Sequence, residues 1–506
     1  MTLSPIDTIP NELLCTIFAM AHALSYSDGH LCPRIPTEVA MSVVCKNWRS
    51  IALSSPSLWS VYRCIKPSSK ALQSELERLE TYLKRSDETD IELSFNFIGL
   101  HGFTDSQIVS QLLHSTLPHI ARWICFVAIS DGQDQALVPF HHPLKSLRAP
   151  KLRHVDIRTG AWHDYRRLGW DTEPHWNPKM FHGELCAIEY LRLDTCAIMA
   201  RFRPRLETLV HFMMEEGPGS HMHALGICLL FSNFVQVLSA PNIETISIWG
   251  TNYEWWPSQP LPATTIQANR LKHFRYGNNV TMSPLMFFLN RVSAPLLESI
   301  TIQKISLSNQ ASEMDHPEDD YIDYAFPSFR SLYLIDVDVA CLAVAVPPGI
   351  DWLTEIILET PIPRLAQTTR LATHLTIATR ATSCGNTDIP LFIDLLPGRR
   401  MGHFAESPSL PSMWPQAQDL ALHFPSSVFA ANNLSWKDTW SKVDRLYLAP
   451  PTSNNPWPDP EDLSAGGRNI AVKGLQALGH TQWPPGWYQW ASCDKTIDVF
   501  LRNTAF

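Results

Sequence analysis

Three residues in the middle of the chain, His221, His223 and Cys228, have side chains that could bind a metal ion. Structural zinc sites use four ligands, which usually come from two closely spaced pairs. No second pair with that spacing accompanies these residues, and the eleven cysteines include no C-x-x-C pair. The spacing therefore predicts no metal site.

Motifs for nucleophilic catalysis or phosphate binding are also missing from the sequence. It contains no G-x-S-x-G phrase, which would present a nucleophilic serine, and no G-x-G-x-x-G or P-loop phrase, which would bind a phosphate group. We therefore predict no catalytic residue and no cofactor, and we expect that the protein is not an enzyme. An enzyme of unfamiliar type in the C-terminal half is the less favoured alternative.

Composition narrows the functional classes further. The 506 residues exceed one domain, and 40 basic against 49 acidic side chains give a net charge of −9, which argues against a nucleic-acid-binding protein. No apolar run reaches the length of a membrane span, and the first residues lack the basic region of a secretory signal. The odd number of cysteines is typical of reduced thiols. We predict a cytoplasmic or nuclear protein that binds neither membranes nor nucleic acids.

The first 66 residues have the pattern of a small helical unit. One helix is predicted to begin at Pro10, because proline is favoured in a first turn, and the apolar residues at 13, 14, 17 and 18 share one face of it. A loop over residues 25–36 precedes a second helix, predicted from about Thr37 to Ala52. So small a unit cannot bury all its apolar side chains, and some should contact a partner protein. The predicted contact residues are Pro10, Leu13, Leu14, Ile17, Val44, Cys45 and Trp48.

For three of these residues, Leu13, Ile17 and Trp48, a place in the core of the helical unit is an equal alternative.

A linker at 67–90 follows the helical unit, and its leucines recur at spacings of four, three and four between Leu72 and Leu83. This spacing predicts a helix over 70–85. The apolar alternation from Ile91 to Phe95 then predicts the first strand.

A short apolar alternation recurs from about residue 140 to residue 450 and predicts a repeated strand. Most intervals are 24 to 36 residues, and two longer ones, of 55 and 64, could each contain a weaker repeat near 206–210 and 391–393. The predicted strands contain Val155-Asp-Ile157, Leu191-Arg-Leu193, Ile246-Ser-Ile248, Phe274-Arg-Tyr276, Ile300-Thr-Ile302, Leu332-Tyr-Leu334, Ile356 to Leu358, Leu420-Ala-Leu422 and Leu446-Tyr-Leu448.

Three of these repeats share a longer phrase, in which an Ala-Pro pair precedes the strand; the pairs begin at Ala149, Ala240 and Ala294. One strand with its return segment cannot bury its own apolar face, so neighbouring repeats must stack into a parallel sheet. The predicted fold is therefore α/β: a helical domain at 1–66, the linker, an irregular solenoid with a parallel sheet over 91–450, and a Pro- and Trp-rich C-terminal cap over 451–506.

In each predicted strand, the residue between the two apolar positions points to the other side of the sheet. We expect these residues to line the inner surface of the solenoid and to bind a substrate protein there. They are Asp156, Arg192, Ser247, Arg275, Thr301 and Tyr333.

The N-terminal unit resembles an F-box of the type found in mushroom-forming fungi. The resemblance is carried by the frames Ile9-Pro10-Asn-Glu12-Leu13-Leu14-x-x-Ile17-Phe18, Val43-Val44-Cys45-Lys-Asn-Trp48 and Ser55-Pro56-x-Leu58-Trp59. Its inter-helix loop is longer than in the compact family pattern, and Ile9 stands where leucine is commoner. The later repeats resemble degenerate leucine-rich repeats, whose L-x-L-x-x-N/C pattern is met at Leu191 to Cys196 and, with aromatic residues, at Phe274 to Asn279.

These resemblances imply a function in ubiquitin-dependent protein degradation. The F-box of such proteins binds the SKP-type adaptor of an SCF-type cullin-RING ubiquitin ligase, and the domain that follows selects the substrate protein. By implication, the seven contact residues bind the adaptor, and the chain is a substrate adaptor without an active site. A protein-interaction scaffold that does not use the adaptor is the alternative.

Overall fold

The computed structural model describes the first half of the chain more fully than the second. The described residues are 9–27, 35–65, 67–100, 103–130, 137–159, 177–181, 187–194, 197–198, 202–215, 229–250, 253–254, 265–277, 285, 288, 291–305, 326–329, 331–337, 355–358, 374–378, 419–423, 445–448 and 471–474. The fold is mixed α/β, as predicted, and it divides into two compact units. The first holds the described residues up to Ile243, and the second holds those from Glu244 onward.

The first unit opens with three helices, α1 (Asn11–Ser27), α2 (Thr37–Ser42) and α3 (Lys46–Leu53), and a 3₁₀ turn at Pro56–Trp59. The second predicted helix is therefore two helices. Cys45 has an extended backbone, and its Sγ accepts a hydrogen bond from the Trp48 N–H at 3.4 Å. The thiol thus takes the N-cap position at the start of α3 and ends the continuity with α2.

Six parallel strands in chain order form the sheet of the first unit. They are β1 (Val61–Ile65), β2 (Ile91–Asn96), β3 (Trp123–Ile129), β4 (His154–Arg158), β5 (Tyr190–Leu193) and β6 (His211–Glu215). The sheet therefore begins one strand earlier than the predicted start at Ile91. The remaining elements of this unit are α4 (Leu72–Arg85), α5 (Phe103–Thr116), α6 (Leu137–Ser146), the short strand β7 (Leu229–Leu230), α7 (Phe231–Leu238), and 3₁₀ turns at Ser69–Ala71 and Leu117–Arg122.

The second unit contains a parallel sheet of nine strands, again in chain order. They are β8 (Thr245–Trp249), β11 (His273–Gly277), β13 (Ser299–Ile305), β14 (Ser331–Val337), β15 (Glu355–Leu358), β16 (His374–Ala378), β17 (Asp419–His423), β18 (Arg445–Leu448) and β19 (Ala471–Gly474). Three two-residue strands, β9 (Tyr253–Glu254), β10 (Ile266–Gln267) and β12 (Val292–Ser293), lie outside this sheet, and β10 pairs with β12.

All nine strands predicted from apolar alternation are confirmed. The weaker repeat expected near 206–210 corresponds to β6, a few residues later. The one expected at 391–393 lies outside the described residues, and β16 occupies an earlier part of the same interval.

The Ala-Pro phrase encodes a turn that precedes a strand. The N–H of Leu152 donates to the Ala149 carbonyl at 3.2 Å, and the equivalent bonds join Ile243 to Ala240 and Leu297 to Ala294 at 3.3 and 3.1 Å. Proline falls at the second position of each four-residue turn, where its fixed φ is favourable. The first and last residues of all three turns are buried, so the repeated phrase fixes both a chain reversal and two core contacts.

The strand register brings apolar residues into line across the first sheet. Leu93, Phe126 and Val155 occupy neighbouring strands in one row, and each is at most 1% exposed. Ile246, Phe274 and Ile300 form the equivalent row in the second unit and are fully buried. These rows are the core side of each sheet, as the alternation predicts.

Candidate functional site

Helix α1 has one buried face and one exposed apolar face. Leu14, Phe18 and His22 are buried, whereas Leu13, Ile17, Met20 and Leu24 are 55%, 46%, 60% and 61% exposed. At about 100° per residue, these four exposed side chains lie within roughly 60° of one another and about 130° from the centre of the buried face. We call Leu13, Ile17, Met20 and Leu24 the α1 ridge.

The turn between α2 and α3 adds further exposed apolar surface. Val43 and Val44 are 71% and 58% exposed. This turn is held close to α1 by two contacts from α3. Asn47 Nδ2 donates to Asn11 Oδ1 at 3.4 Å, and the Trp48 ring contacts the Phe18 ring edge-on with centroids 4.8 Å apart.

The structure separates the seven predicted contact residues into three groups. Pro10, Leu13, Ile17, Val44 and Cys45 are exposed, and Trp48 is half-buried because its ring packs against Phe18. Leu14 is only 1% exposed, so the prediction that its side chain lies at the surface is wrong. It lies one turn before Phe18 on the buried face and stabilises the helical unit.

Two residues of the ridge were not among the predicted contacts. Met20 and Leu24 continue the spacing of Leu13 and Ile17 by three and four residues. The same helical periodicity that placed Leu13 and Ile17 together could have identified them.

A buried polar contact fixes these helices to the rest of the first unit. Glu38, in α2, is fully buried and accepts a hydrogen bond from the Tyr82 hydroxyl of α4. Its other carboxylate oxygen lies 3.7 Å from His22 Nε2 in α1. Burial, together with the Arg63 charge, lowers the pKa of His22 to about 4, so this imidazole is neutral at physiological pH. Three helices therefore meet at one carboxylate.

The strand residues predicted to bind substrate are buried instead of lining an open surface. Asp156, Arg192, Ser247, Arg275 and Thr301 are each at most 9% exposed, and the side chain of Tyr333 lies outside the described part of the structure. For these five residues the prediction of a solvent-facing row is therefore wrong. Alternation predicts the side of the sheet on which a residue lies, but not whether that side is covered.

Hydrogen bonds and ion pairs within each sheet accommodate these buried polar side chains. Arg158 is 1% exposed and donates to both carboxylate oxygens of Asp156, from Nε at 2.9 Å and from Nη2 at 3.0 Å. In the second unit, Arg275 Nε donates to Ser247 Oγ at 3.2 Å across neighbouring strands. These contacts stabilise the sheets.

Two titratable groups in the first sheet, the buried His154 and the half-buried Glu92, have pKa values far from normal. His154 stacks on Tyr190 with ring centroids 4.1 Å apart, and its burial lowers its pKa to about 3, although Asp156 acts in the opposite direction. Burial raises the pKa of Glu92 to about 7 despite the nearby Arg63 charge. Both groups are therefore held mainly in their neutral forms when the pH is mildly acidic.

These shifts predict a specific dependence of stability on pH. Because the pKa of His154 falls from 6.5 to about 3 on folding, the unfolded chain binds the extra proton between these values, and stability decreases as the pH is lowered. At about 1.4 kcal/mol per pH unit, lowering the pH from 6.5 to 5 costs roughly 2 kcal/mol at this residue. The variant His154→Phe, which keeps an aromatic ring against Tyr190, should lose that part of the slope in denaturant titrations.

Glu92 gives a control of opposite sign. Its folded pKa of about 7 exceeds the normal 4.5, so the folded chain binds the extra proton and this contribution falls as the pH rises from 4.5 to 7. Glu92→Gln should therefore make the free energy of unfolding increase more steeply with pH.

The prediction for His154 is contradicted if His154→Phe leaves the dependence of unfolding free energy on pH unchanged between pH 5 and 6.5. In that case His154 is not buried in its neutral form.

The described residues contain no cluster of three side chains suited to hold a metal ion. His221, His223 and Cys228 lie outside the described residues.

Among the described residues, no helix is long and apolar enough to cross a membrane. Of the described cysteines, Cys15 and Cys45 are exposed and Cys64 and Cys125 are buried, and none of these four forms a disulfide bond.

No protein-family model and no curated protein sequence matches the chain. The function must therefore be inferred from the motif, the exposed surface and the sheet described above.

Proposed function

We propose that this protein is the substrate-recognition subunit of an SCF-type cullin-RING ubiquitin ligase. The F-box-like helices bind an SKP-type adaptor, and the strand-rich remainder, a degenerate leucine-rich-repeat-like solenoid, binds the substrate protein. The observation that carries the proposal is the exposure of Leu13, Ile17 and Val44, three apolar residues of the F-box-like frames.

The energetics of this surface favour a protein partner. Moving a leucine, isoleucine or valine side chain from water into an interface contributes roughly 1.5–3 kcal/mol. A few such residues at the centre of an interface usually supply most of its binding energy. The exposed side chains of α1 and of the α2–α3 turn are therefore sufficient to anchor an adaptor.

The solenoid part of the proposal is supported by the order of the strands. Both sheets are parallel with strands in chain order, and the same Ala-initiated turn precedes β4, β8 and β13. A chain built from stacked strand-and-return repeats has this topology. The five buried strand residues are not part of the proposed substrate surface.

The proposal predicts loss of adaptor binding when the N-terminal half of the ridge is made polar. In the full chain, Leu13→Asp with Ile17→Asp should weaken binding to a purified SKP-type adaptor at least ~100-fold, because two apolar contacts are lost and two unpaired charges face an apolar partner. Isothermal titration calorimetry measures the affinity, and circular dichroism checks the fold.

Ala19→Asp is the matched control, since Ala19 is exposed on α1 away from the ridge. It should change the affinity by no more than about threefold, in keeping with a surface change outside the interface. If the parent chain does not bind the adaptor, the proposal is wrong, and the alternatives of an interaction scaffold or an enzyme of unfamiliar type remain.

A further inference from the structure

Helix α1 carries almost no charge although most of it is exposed. Glu12, in the first turn, is its one acidic residue, and no Asp, Glu, Lys or Arg follows among the fifteen residues from Leu13 to Ser27. Burial keeps His22 neutral. A helix at a protein surface normally has charged or polar residues on its outer face. The composition of α1 is therefore suited to contact with protein along its length.

The exposed face of α1 has the shape of a narrow ridge. Met20 and Leu24 are at least as exposed as Leu13 and Ile17, and the four lie within a stretch of twelve residues, about 16 Å long at 1.5 Å per step. The exposed residues that flank the ridge on one side, Thr16 and Ala23, are small. Small neighbours let a partner approach the helix closely on that side of the four large side chains.

We infer that the whole α1 ridge is one adaptor-binding surface, so that Met20 and Leu24 contact the SKP-type adaptor together with Leu13 and Ile17. This inference depends on the proposed function and extends it by two helical turns beyond the predicted contact residues. The ridge is continuous with the motif residues, and its four side chains lie on one side of a straight element. A partner seated on Leu13 and Ile17 therefore reaches Met20 and Leu24 without changing direction.

The chemistry of the ridge also defines its partner. An adaptor that fits it presents an apolar groove about 16 Å long. A membrane surface is disfavoured because helices that lie on membranes carry basic residues on their polar face, whereas α1 has no Lys or Arg. A second copy of the chain is the competing occupant, which the experiment must separate from the adaptor.

The test compares the two halves of the ridge in the full chain. Met20→Asp with Leu24→Asp should weaken adaptor binding at least 30-fold, while Ala19→Asp stays within threefold of the parent. Because the acidic pair could disturb the helix, Met20→Ala with Leu24→Ala is measured as well. Alanine favours helix, so this pair should bind five- to tenfold more weakly with an unchanged circular dichroism spectrum.

Each outcome distinguishes the extension from the proposed function. If Leu13→Asp with Ile17→Asp abolishes binding and both Met20/Leu24 pairs bind like the parent, the extension is overturned and the proposed function stands. If the parent does not bind the adaptor, both fail. If light scattering shows a dimer of the parent that the Met20/Leu24 pairs dissociate without a change in adaptor affinity, the C-terminal half of the ridge binds a second copy, and the inference is wrong.

Discussion

Asp156→Ala is expected to lower the free energy of unfolding by about 3–5 kcal/mol, because it leaves a buried guanidinium without its counter-ion. Arg158 is 1% exposed and makes two hydrogen bonds to this carboxylate, at 2.9 and 3.0 Å. The alanine variant leaves these two donor groups without their acceptors in a site with little access to water. Urea titration of the full chain, followed by tryptophan fluorescence, measures the change.

An exposed ion pair of the same unit provides the control. Lys151 Nζ lies 2.6 Å from Asp90 Oδ1, a shorter distance than in the buried pair, but the two side chains are 52% and 40% exposed. Surface pairs contribute about 0–1 kcal/mol, so Asp90→Ala should have a small effect despite the shorter distance. Equal losses for Asp90→Ala and Asp156→Ala would show that burial does not determine the strength of these pairs.

A double variant separates the charge effect from the loss of packing. Replacing Arg158 with methionine in the Asp156→Ala background removes the unpaired charge and keeps an apolar side chain of similar length. Replacing a buried ion pair with apolar residues is often close to neutral, so this variant should regain most of the lost stability. Failure to regain any of it would indicate that Asp156 contributes through its shape and not through its charge.

The sheet was predictable from the sequence because its signal is local. In a strand buried on its core side, such as Phe274-Arg-Tyr276, every second residue must be apolar, and this pattern is visible in three residues. The turn before the strand adds Ala and Pro at fixed positions. By contrast, β1 contains Arg63 and Cys64 and follows closely on the helical unit, so its alternation was not distinguished from the end of that unit.

The helix break at Val43–Cys45 and the burial of the polar strand residues were not predictable in the same way. The break depends on the Cys45 thiol acting as an N-cap, although the surrounding residues fit a continuous helical period. The burial of Asp156 depends on Arg158, two residues later, and on what covers that side of the sheet. Both features depend on tertiary structure, which periodicity does not encode.

The exposed apolar surface of α1 was predicted in part. Leu13 and Ile17 were placed correctly on one face of α1, whereas Leu14 was assigned to the same surface although it lies on the buried face. Helical periodicity groups the apolar residues of a helix on one face, but it does not show which of them point toward the protein interior. The structure supplies this information, since Phe18 packs against Trp48 and fixes the rotation of α1.

Glu38→Ala should destabilise the N-terminal helices by about 2–4 kcal/mol, because it removes the acceptor of the buried Tyr82 hydroxyl and leaves a cavity among three helices. Glu38 is fully buried, with 0% exposure, and it contacts Tyr82 of α4 and His22 of α1. Hydrogen–deuterium exchange of the α1–α3 peptides should rise much more than exchange of β4 and β5, which contribute neither Tyr82 nor His22 to this contact.

Two conservative variants identify the source of the effect. Tyr82→Phe removes one hydrogen bond but keeps the ring, which lies against Trp59 with centroids 5.2 Å apart, so it should cost only about 1 kcal/mol. Glu38→Gln keeps an acceptor for Tyr82 and should cost less than Glu38→Ala. If the alanine and glutamine variants are equally unstable, the negative charge itself holds the helices together. If neither is destabilised, α1 is positioned by its apolar contacts alone, and the orientation of the ridge does not depend on this carboxylate.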